Sequence, residues 1–222
     1  MKQTPIHDNF NPDLLALMPA GASRVVEVGC SSGALARAYL AANPQSEYFG
    51  IEIDPAYAEV ARPACTRVVV GDIEHMSDAV FDTLFPSSCW VFGDVLEHLY
   101  DPWTVLRRVR KSLPAQAVVV ACIPNAQHWS VQARLNSGLF RYEDAGLLDR
   151  THIRWFTKAT IVELFESSGF RITDGRARIF SEPQRDKALA GIRQLAAAIG
   201  ANAEEAANNA IPFQWVVRAT AA

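Results

Sequence analysis

An α/β architecture is what the sequence predicts: a doubly wound, mostly parallel sheet of seven strands with helices on both faces. Three observations carry it. Over the first half, short apolar runs alternate with Ala- and Leu-rich amphipathic stretches, the βαβ rhythm of strands buried on both faces. A glycine-bearing turn, Gly29-Cys30-Ser31-Ser32-Gly33, joins the first such run to the first such stretch. The 222 residues, half of them hydrophobic, suffice for one sizeable layered domain but not for two.

The elements follow in order. Arg24 to Val28 reads as a buried strand, and Ala34 to Ala42 as the helix after the turn. Glu47 to Ile53 is a second strand, and Pro55 to Arg62 a helix with proline in its first position. Thr66 to Val70, Cys89 to Phe92 and Ala117 to Ile123 are the third, fourth and fifth strands. Between the last two, Val105, Leu106, Val109 and Leu113 give Pro102 to Leu113 a helical spacing. Asn125 to Thr157 shows no clean period. Thr157 to Ser168 reads as a helix capped by Thr157 and stopped by Gly169. Phe170 to Thr173 is a sixth strand, Gln184 to Ala207 an Ala-rich helix, and Phe213 to Arg218 the final strand. With no repeat and no linker composition, residues 1–222 read as a single domain. Its cofactor-binding core spans about 22–123, an acceptor-side insertion about 124–157, and a helical insertion about 184–207.

Composition narrows the function. A formal charge of −3 argues against a protein that coats nucleic acid by bulk electrostatics. Cys30, Cys65, Cys89 and Cys122 form no CxxC pair, so a disulfide framework is not expected and a reducing cytoplasm is the default. No uninterrupted apolar run reaches the roughly 18 residues that suggest a membrane helix. Residues 1–8 lack the apolar core of a secretory signal.

The glycine turn lies where doubly wound folds bind nucleotides: glycines allow a tight turn and close approach, and the following helix offers unpaired N–H groups. A dinucleotide fingerprint needs glycine at its third and sixth positions, where this turn has Ser31 and Ala34, so a nicotinamide oxidoreductase is disfavoured. Glu52 follows about twenty residues on, where a carboxylate can accept from ribose hydroxyls. Asp72 and Asp94 follow the third and fourth strands. Acids and glycines at four successive strand ends define a cleft.

These segments resemble the class I S-adenosylmethionine-dependent methyltransferases, with their Rossmann-like fold, over roughly residues 22–175. The resemblance implies Glu27, Gly29, Cys30 and Gly33 at the turn that holds the methionine part of the cofactor, Glu52 at the ribose, Asp72 at the adenine, and Asp94 beside the cofactor. Ser31 departs from the pattern, standing where the middle glycine usually lies. Asp54, next to the ribose acid, reads as the cap of the following helix.

The acceptor side is similar to more particular groups. Phe92 to Pro102 looks like the fourth-strand motif of ubiquinone-biosynthesis O-methyltransferases. Pro124 to Ser130 and Glu143 to Thr157 are similar to methyltransferases found beside glycosyltransferases in surface-polysaccharide assembly. That similarity implies a sugar or glycan-type acceptor, and a glycosyltransferase complex as partner. Methyl transfer needs positioning and a base, and histidine suits neutral pH. His152 is the first candidate base and His128 the second. Asp94, Glu97 and His98 share one face if their stretch is helical. With His152 they resemble the magnesium site of small-RNA 2′-O-methyltransferases, which implies an optional Mg2+. The alternatives are therefore metal-assisted methylation of a ubiquinone-like or RNA hydroxyl, or a non-catalytic cofactor-binding module. RNA is disfavoured by the charge. From Asp101 to Thr160 nine Lys and Arg face four acids, and Arg134, Arg141, Arg150 and Arg154 are candidates for an acceptor phosphate or carboxylate. Trp129, Tyr142 and Trp155 are candidates for stacking on a sugar.

Overall fold

A computed structural model describes residues 8–222. The secretory-signal reading of residues 1–8 therefore falls almost wholly outside the described residues. In chain order the elements are α1 (Pro12–Leu17), β1 (Arg24–Val28), α2 (Ala34–Ala42), β2 (Glu47–Glu52), α3 (Pro55–Ala61), β3 (Arg67–Val70), α4 (Asp78–Phe81) and β4 (Cys89–Gly93). There follow α5 (Pro102–Ser112), β5 (Val118–Pro124), α6 (Trp129–Asn136), α7 (Lys158–Ser167), β6 (Phe170–Arg178), α8 (Arg185–Ala198), α9 (Ala203–Asn209) and β7 (Gln214–Ala221).

The seven strands form one sheet in the order β3-β2-β1-β4-β5-β7-β6. β1 to β5 pair in parallel, β6 runs in the same direction, and β7 alone is reversed, antiparallel to both β5 and β6. The strand order reverses between β1 and β4, which leaves a crevice outside their carboxyl ends. Both faces are covered, and the alternation of side chains explains the apolar runs. Val26 and Val28 face Phe92, Leu106, Val109 and Phe165 on one side. Val25 faces Leu14, Leu17, Tyr39 and Val91 on the other. Each such side chain removed from water contributes about 1.5–3 kcal/mol.

The expected seven strands and mostly parallel sheet are present. Three helices were not expected. α1 and α4 have only 6 and 4 residues, too short to show a period. α6 buries only Val131, so its amphipathic signal is faint. The single helix read over Gln184 to Ala207 is two: α8 ends at Ala198, Gly200 two residues on sets a left-handed stop with its φ of +76°, and Asn202 caps α9. The last two strands run longer than their apolar cores, since ladder pairing with β7 carries β6 to Arg178. Among the described residues no helix is long and apolar enough to cross a membrane.

Candidate functional site

The turn after β1 alternates backbone hands. Gly29, Ser31 and Gly33 all have left-handed φ, at +70°, +47° and +73°. Glycine is required at two of them for space as well. A Cβ on Gly29 would stand 2.8 Å from Val95 Cγ2, and one on Gly33 2.8 Å from Ala64 Cβ. Ser31 occupies the middle position at a cost of about 1–2 kcal/mol. Its N–H donates to Glu52 Oε2 at 2.8 Å, which holds the turn to the end of β2. The N–H groups of Gly29 and Cys30 donate to the Ile51 carbonyl at 2.8 and 3.2 Å and that of Gly33 to the Cys30 carbonyl at 2.8 Å, so the turn is closed on itself and on the end of β2.

The acids of the crevice differ in what they already hold. Glu52, 3% exposed, also accepts from Asp54 N–H through Oε1 at 3.0 Å. Asp54 caps α3, accepting from the N–H groups of Ala56 and Tyr57, as the sequence reading has it. Asp72 accepts from Glu74 N–H at 2.9 Å and lies 2.7 Å from His75 Nδ1, with a third of its side chain open. Glu27 is buried and accepts from the Tyr48 hydroxyl at 2.9 Å; burial pushes its carboxyl well above the usual range. Cys30 points inward, packed with Ala58, Ala61 and Val68. Asp94, at φ +55°, accepts from the Gln214 side chain, and burial raises its carboxyl to about 6.

The segment after β5 is tied down. Asn125, fully buried, donates to the carbonyls of Asn209 and Pro212, both at 2.8 Å. His128, also fully buried, caps α6: its Nδ1 lies 2.8 Å from Ser130 Oγ, and its Nε2 lies 3.3 Å from Glu182 Oε2. Glu182 also accepts from Trp129 Nε1 at 2.6 Å. Arg134 pairs with Glu143 and Arg150 with Asp144, while Arg154 donates to the Tyr100 carbonyl. Three of the four candidate anion-binding arginines are thus internally engaged.

His152 lies in the same segment, 8% exposed, with Nδ1 3.2 Å from the Leu147 carbonyl. Its Nε2 is 3.9 Å from Glu97 Oε1, and His98 Nε2 is 4.0 Å from the same oxygen. Burial is the main cause that lowers the pKa of both histidines. Glu97 is 1% exposed, and neither carboxylate oxygen has a hydrogen-bond partner. One carboxylate and two imidazoles within 4.8 Å of one another form a three-donor set of the kind that holds a divalent ion. The shared helix face expected for Asp94, Glu97 and His98 does not form. The chain turns left-handed at Asp94 and makes a single 3-10 turn over Leu96–His98, so Asp94 stands outside this cluster. Gln214, Arg178 and Glu182 escaped the sequence reading, because each reaches its partner from a distant element.

Residues 7–174 match the family described as "Methyltransferase domain". No curated protein matches the chain. Among solved structures, an S-adenosylmethionine-dependent methyltransferase from Mesorhizobium loti has a TM-score of 0.62 at 17% identity, covering 94% of this chain and 96% of that one. The magnesium protoporphyrin IX methyltransferase of Synechocystis, with bound SAH, has a TM-score of 0.59 at 13% identity, covering 95% and 81%. An O-methyltransferase from neocarzinostatin biosynthesis, in complex with S-adenosylmethionine and 2-hydroxy-5-methyl naphthoic acid, has 0.58 at 17%, covering 95% and 53%. The chain spans about half the length of that enzyme and of the mitomycin 7-O-methyltransferase. At these identities the likeness is one of fold.

Proposed function

This chain belongs to the methyltransferase-domain family and has its class I fold, and from that premise we propose that it moves a methyl group from S-adenosylmethionine to a hydroxyl of a sugar or glycan-type small molecule. The alternating turn at Gly29, Ser31 and Gly33, hooked to Glu52, is the observation that carries the cofactor half. In this reading the turn receives the methionine part, Glu52 the ribose, Asp72 the adenine, and Asp94 the amino-acid end. Glu27 and Cys30 shape the turn from beneath, through Tyr48 and through packing on α3.

When bound, the cofactor supplies an electrophilic methyl carbon, and the acceptor oxygen that takes it must give up a proton. His152 is assigned that proton. Its lowered pKa keeps the ring neutral, and so able to accept, at neutral pH. His128 is assigned to holding the start of α6, since it is fully buried, its Nδ1 is engaged by Ser130 and its Nε2 faces Glu182 at 3.3 Å. Oxygen acceptors are supported by the neocarzinostatin and mitomycin enzymes, both O-methyltransferases by description. The glycan class, a glycosyltransferase partner and a cytoplasmic setting rest on the sequence resemblance and on four free cysteines.

Calorimetry tests the cofactor half. S-adenosylhomocysteine binds the wild-type protein and NAD does not, and Glu52→Ala weakens that binding about tenfold or more through lost charged hydrogen bonds. No binding by the wild type, or none lost in the variant, overturns the reading. Transfer of labelled methyl to a panel of nucleotide sugars and oligosaccharides tests the acceptor.

The unpartnered Glu97 favours a second reading, a divalent ion held by Glu97, His98 and His152. The donors fit in kind, although they must draw together from about 4 Å. Two imidazoles suit zinc, iron or nickel better than the magnesium of the resemblance. Such an ion lowers the pKa of a bound hydroxyl. Melting curves with Zn2+, Mn2+ and Mg2+ decide it: stabilisation that disappears in Glu97→Gln supports the ion, and unmoved curves reject it.

A further inference from the structure

Asp94 follows β4, one strand in from the junction where β5 meets the reversed β7. Its N–H donates to the Cys122 carbonyl of β5 at 3.1 Å. Its neighbour Val95 presses on the glycine turn, with Cγ2 2.8 Å from where a Gly29 Cβ would stand. Asp94 thus follows β4 just before the residue that packs on the turn, and its carboxylate meets Gln214 of β7.

A chain of side chains runs to it from three other elements. Gln214, the first residue of β7 and buried, donates through Nε2 to Asp94 Oδ1. Its Oε1 accepts from Arg178 Nη1 at 2.7 Å, and Arg178 is opposite it in the β6–β7 ladder. Arg178 Nε lies 3.6 Å from Asp13 Oδ2 on α1. The order of donors is forced. A guanidinium only donates, so it must take the oxygen end of the Gln214 amide, and the nitrogen end is left facing Asp94. A cation on one side and an anion on the other fix the amide dipole, which holds Asp94 in one orientation.

Asp94 itself holds a left-handed φ of +55°. An anion braced from β6, β7 and α1 beside the turn calls for a cation. The amino-acid end of the proposed cofactor carries an ammonium. Resting on the cofactor reading above, which already gives Asp94 that end, we infer that Gln214 and Arg178 are positioning residues for Asp94, so the antiparallel end of the sheet helps set cofactor affinity.

The test compares two probes by calorimetry at pH 7.5. S-adenosylhomocysteine has the ammonium; 5′-methylthioadenosine keeps the adenosine and sulfur but lacks the amino-acid end. Asp94→Asn and Gln214→Met each weaken the first about tenfold and the second by less than about twofold. Gln214→Glu still accepts from Arg178 but sets a like charge against Asp94, and it weakens the first probe at least as much. The double variant Asp94→Asn/Gln214→Met is no weaker than Asp94→Asn alone, because the two act as one unit. Equal losses on both probes mean a merely structural role, and additive losses mean Gln214 acts elsewhere; either overturns the inference. Wild type that binds, with both variants unchanged, overturns this inference alone. Wild type that binds neither probe overturns the cofactor reading beneath it.

Discussion

The two banks of the crevice are built differently. On the bank proposed for the cofactor, backbone conformation does most of the work: three left-handed residues within five positions, tied to Glu52 only 21 residues on. On the bank proposed for the acceptor, side chains do it. Asn125 reaches Pro212, and His128 and Trp129 reach Glu182, across 53 to 87 residues of chain. The first bank closes its N–H groups onto Ile51, Glu52 and Cys30 within one turn but keeps Asp72 partly open, whereas the second ties its polar groups to distant segments. A site for an invariant cofactor can be written into one turn, whereas the acceptor bank depends on contacts that assemble only when the whole sheet closes.

The sharpest way to break this contrast is Gly33→Val. The branched side chain meets Ala64 Cβ at 2.8 Å and the Ala61 carbonyl at 3.3 Å, in a left-handed backbone. Strain and overpacking together cost about 2–4 kcal/mol. Chemical denaturation reads that loss, and calorimetry finds S-adenosylhomocysteine binding gone. Retained binding means the turn's conformation is not what holds the cofactor.

The acceptor bank gives a smaller and separable effect. His128→Asn keeps a good cap but loses the ring's packing and its Glu182 partner, for about 1–2 kcal/mol at pH 8. Burial holds the folded pKa of His128 below its ordinary 6.5, so the unfolded chain binds more protons in the window beneath that value. The stability His128 contributes is present above about pH 6.5 and is lost as pH falls through the folded pKa. Denaturation between pH 5 and 8 shows a shallower acid loss in the variant, with cofactor affinity unchanged. If affinity drops with stability, the two banks are not separable.

Glu27 supplies the opposite slope on the first bank. Burial raises its folded pKa above 4.5, so the folded chain holds more protons, and its contribution falls as pH rises through that folded value. Glu27→Gln still accepts from Tyr48 and carries no charge to bury. Its melting temperature exceeds that of wild type at pH 8, by an amount equivalent to about 1 kcal/mol, and the gain shrinks toward pH 4.5. A constant difference across pH means the carboxyl is solvated.

The same contrast decides what the sequence disclosed. The bounds of β1 and α2 agree with the sequence reading to the residue, because a run buried on both faces and a glycine turn are local signals. Thr157 was legible as a cap for the same reason, and the structure gives it a full capping box with Thr160. Ser31 in place of the middle glycine was visible, but not that Glu52 would hold its N–H. Arg178 and Gln214 lie 84 and 120 residues from Asp94, and their meeting depends on β7 entering the sheet backwards. Glu97 and His98 stood out by spacing. That they meet His152 without Asp94 follows from a left-handed turn no composition signals.

The finest probe of the contrast is Asp54→Ala. Asp54 and Glu52 are two residues apart at the same strand end, yet the geometry gives them different work. Asp54 Oδ1 accepts from Ala56 N–H at 2.7 Å and caps α3, while its own N–H is held by Glu52. Losing the cap costs about 0.5–1 kcal/mol, read as a small drop in melting temperature. Because the N–H that Glu52 uses belongs to the backbone, alanine keeps it, and S-adenosylhomocysteine affinity stays within about twofold of wild type. A tenfold loss instead would place Asp54 in the ribose grip beside Glu52, and the cofactor bank would then rest on paired carboxylates more than on the conformation of its turn.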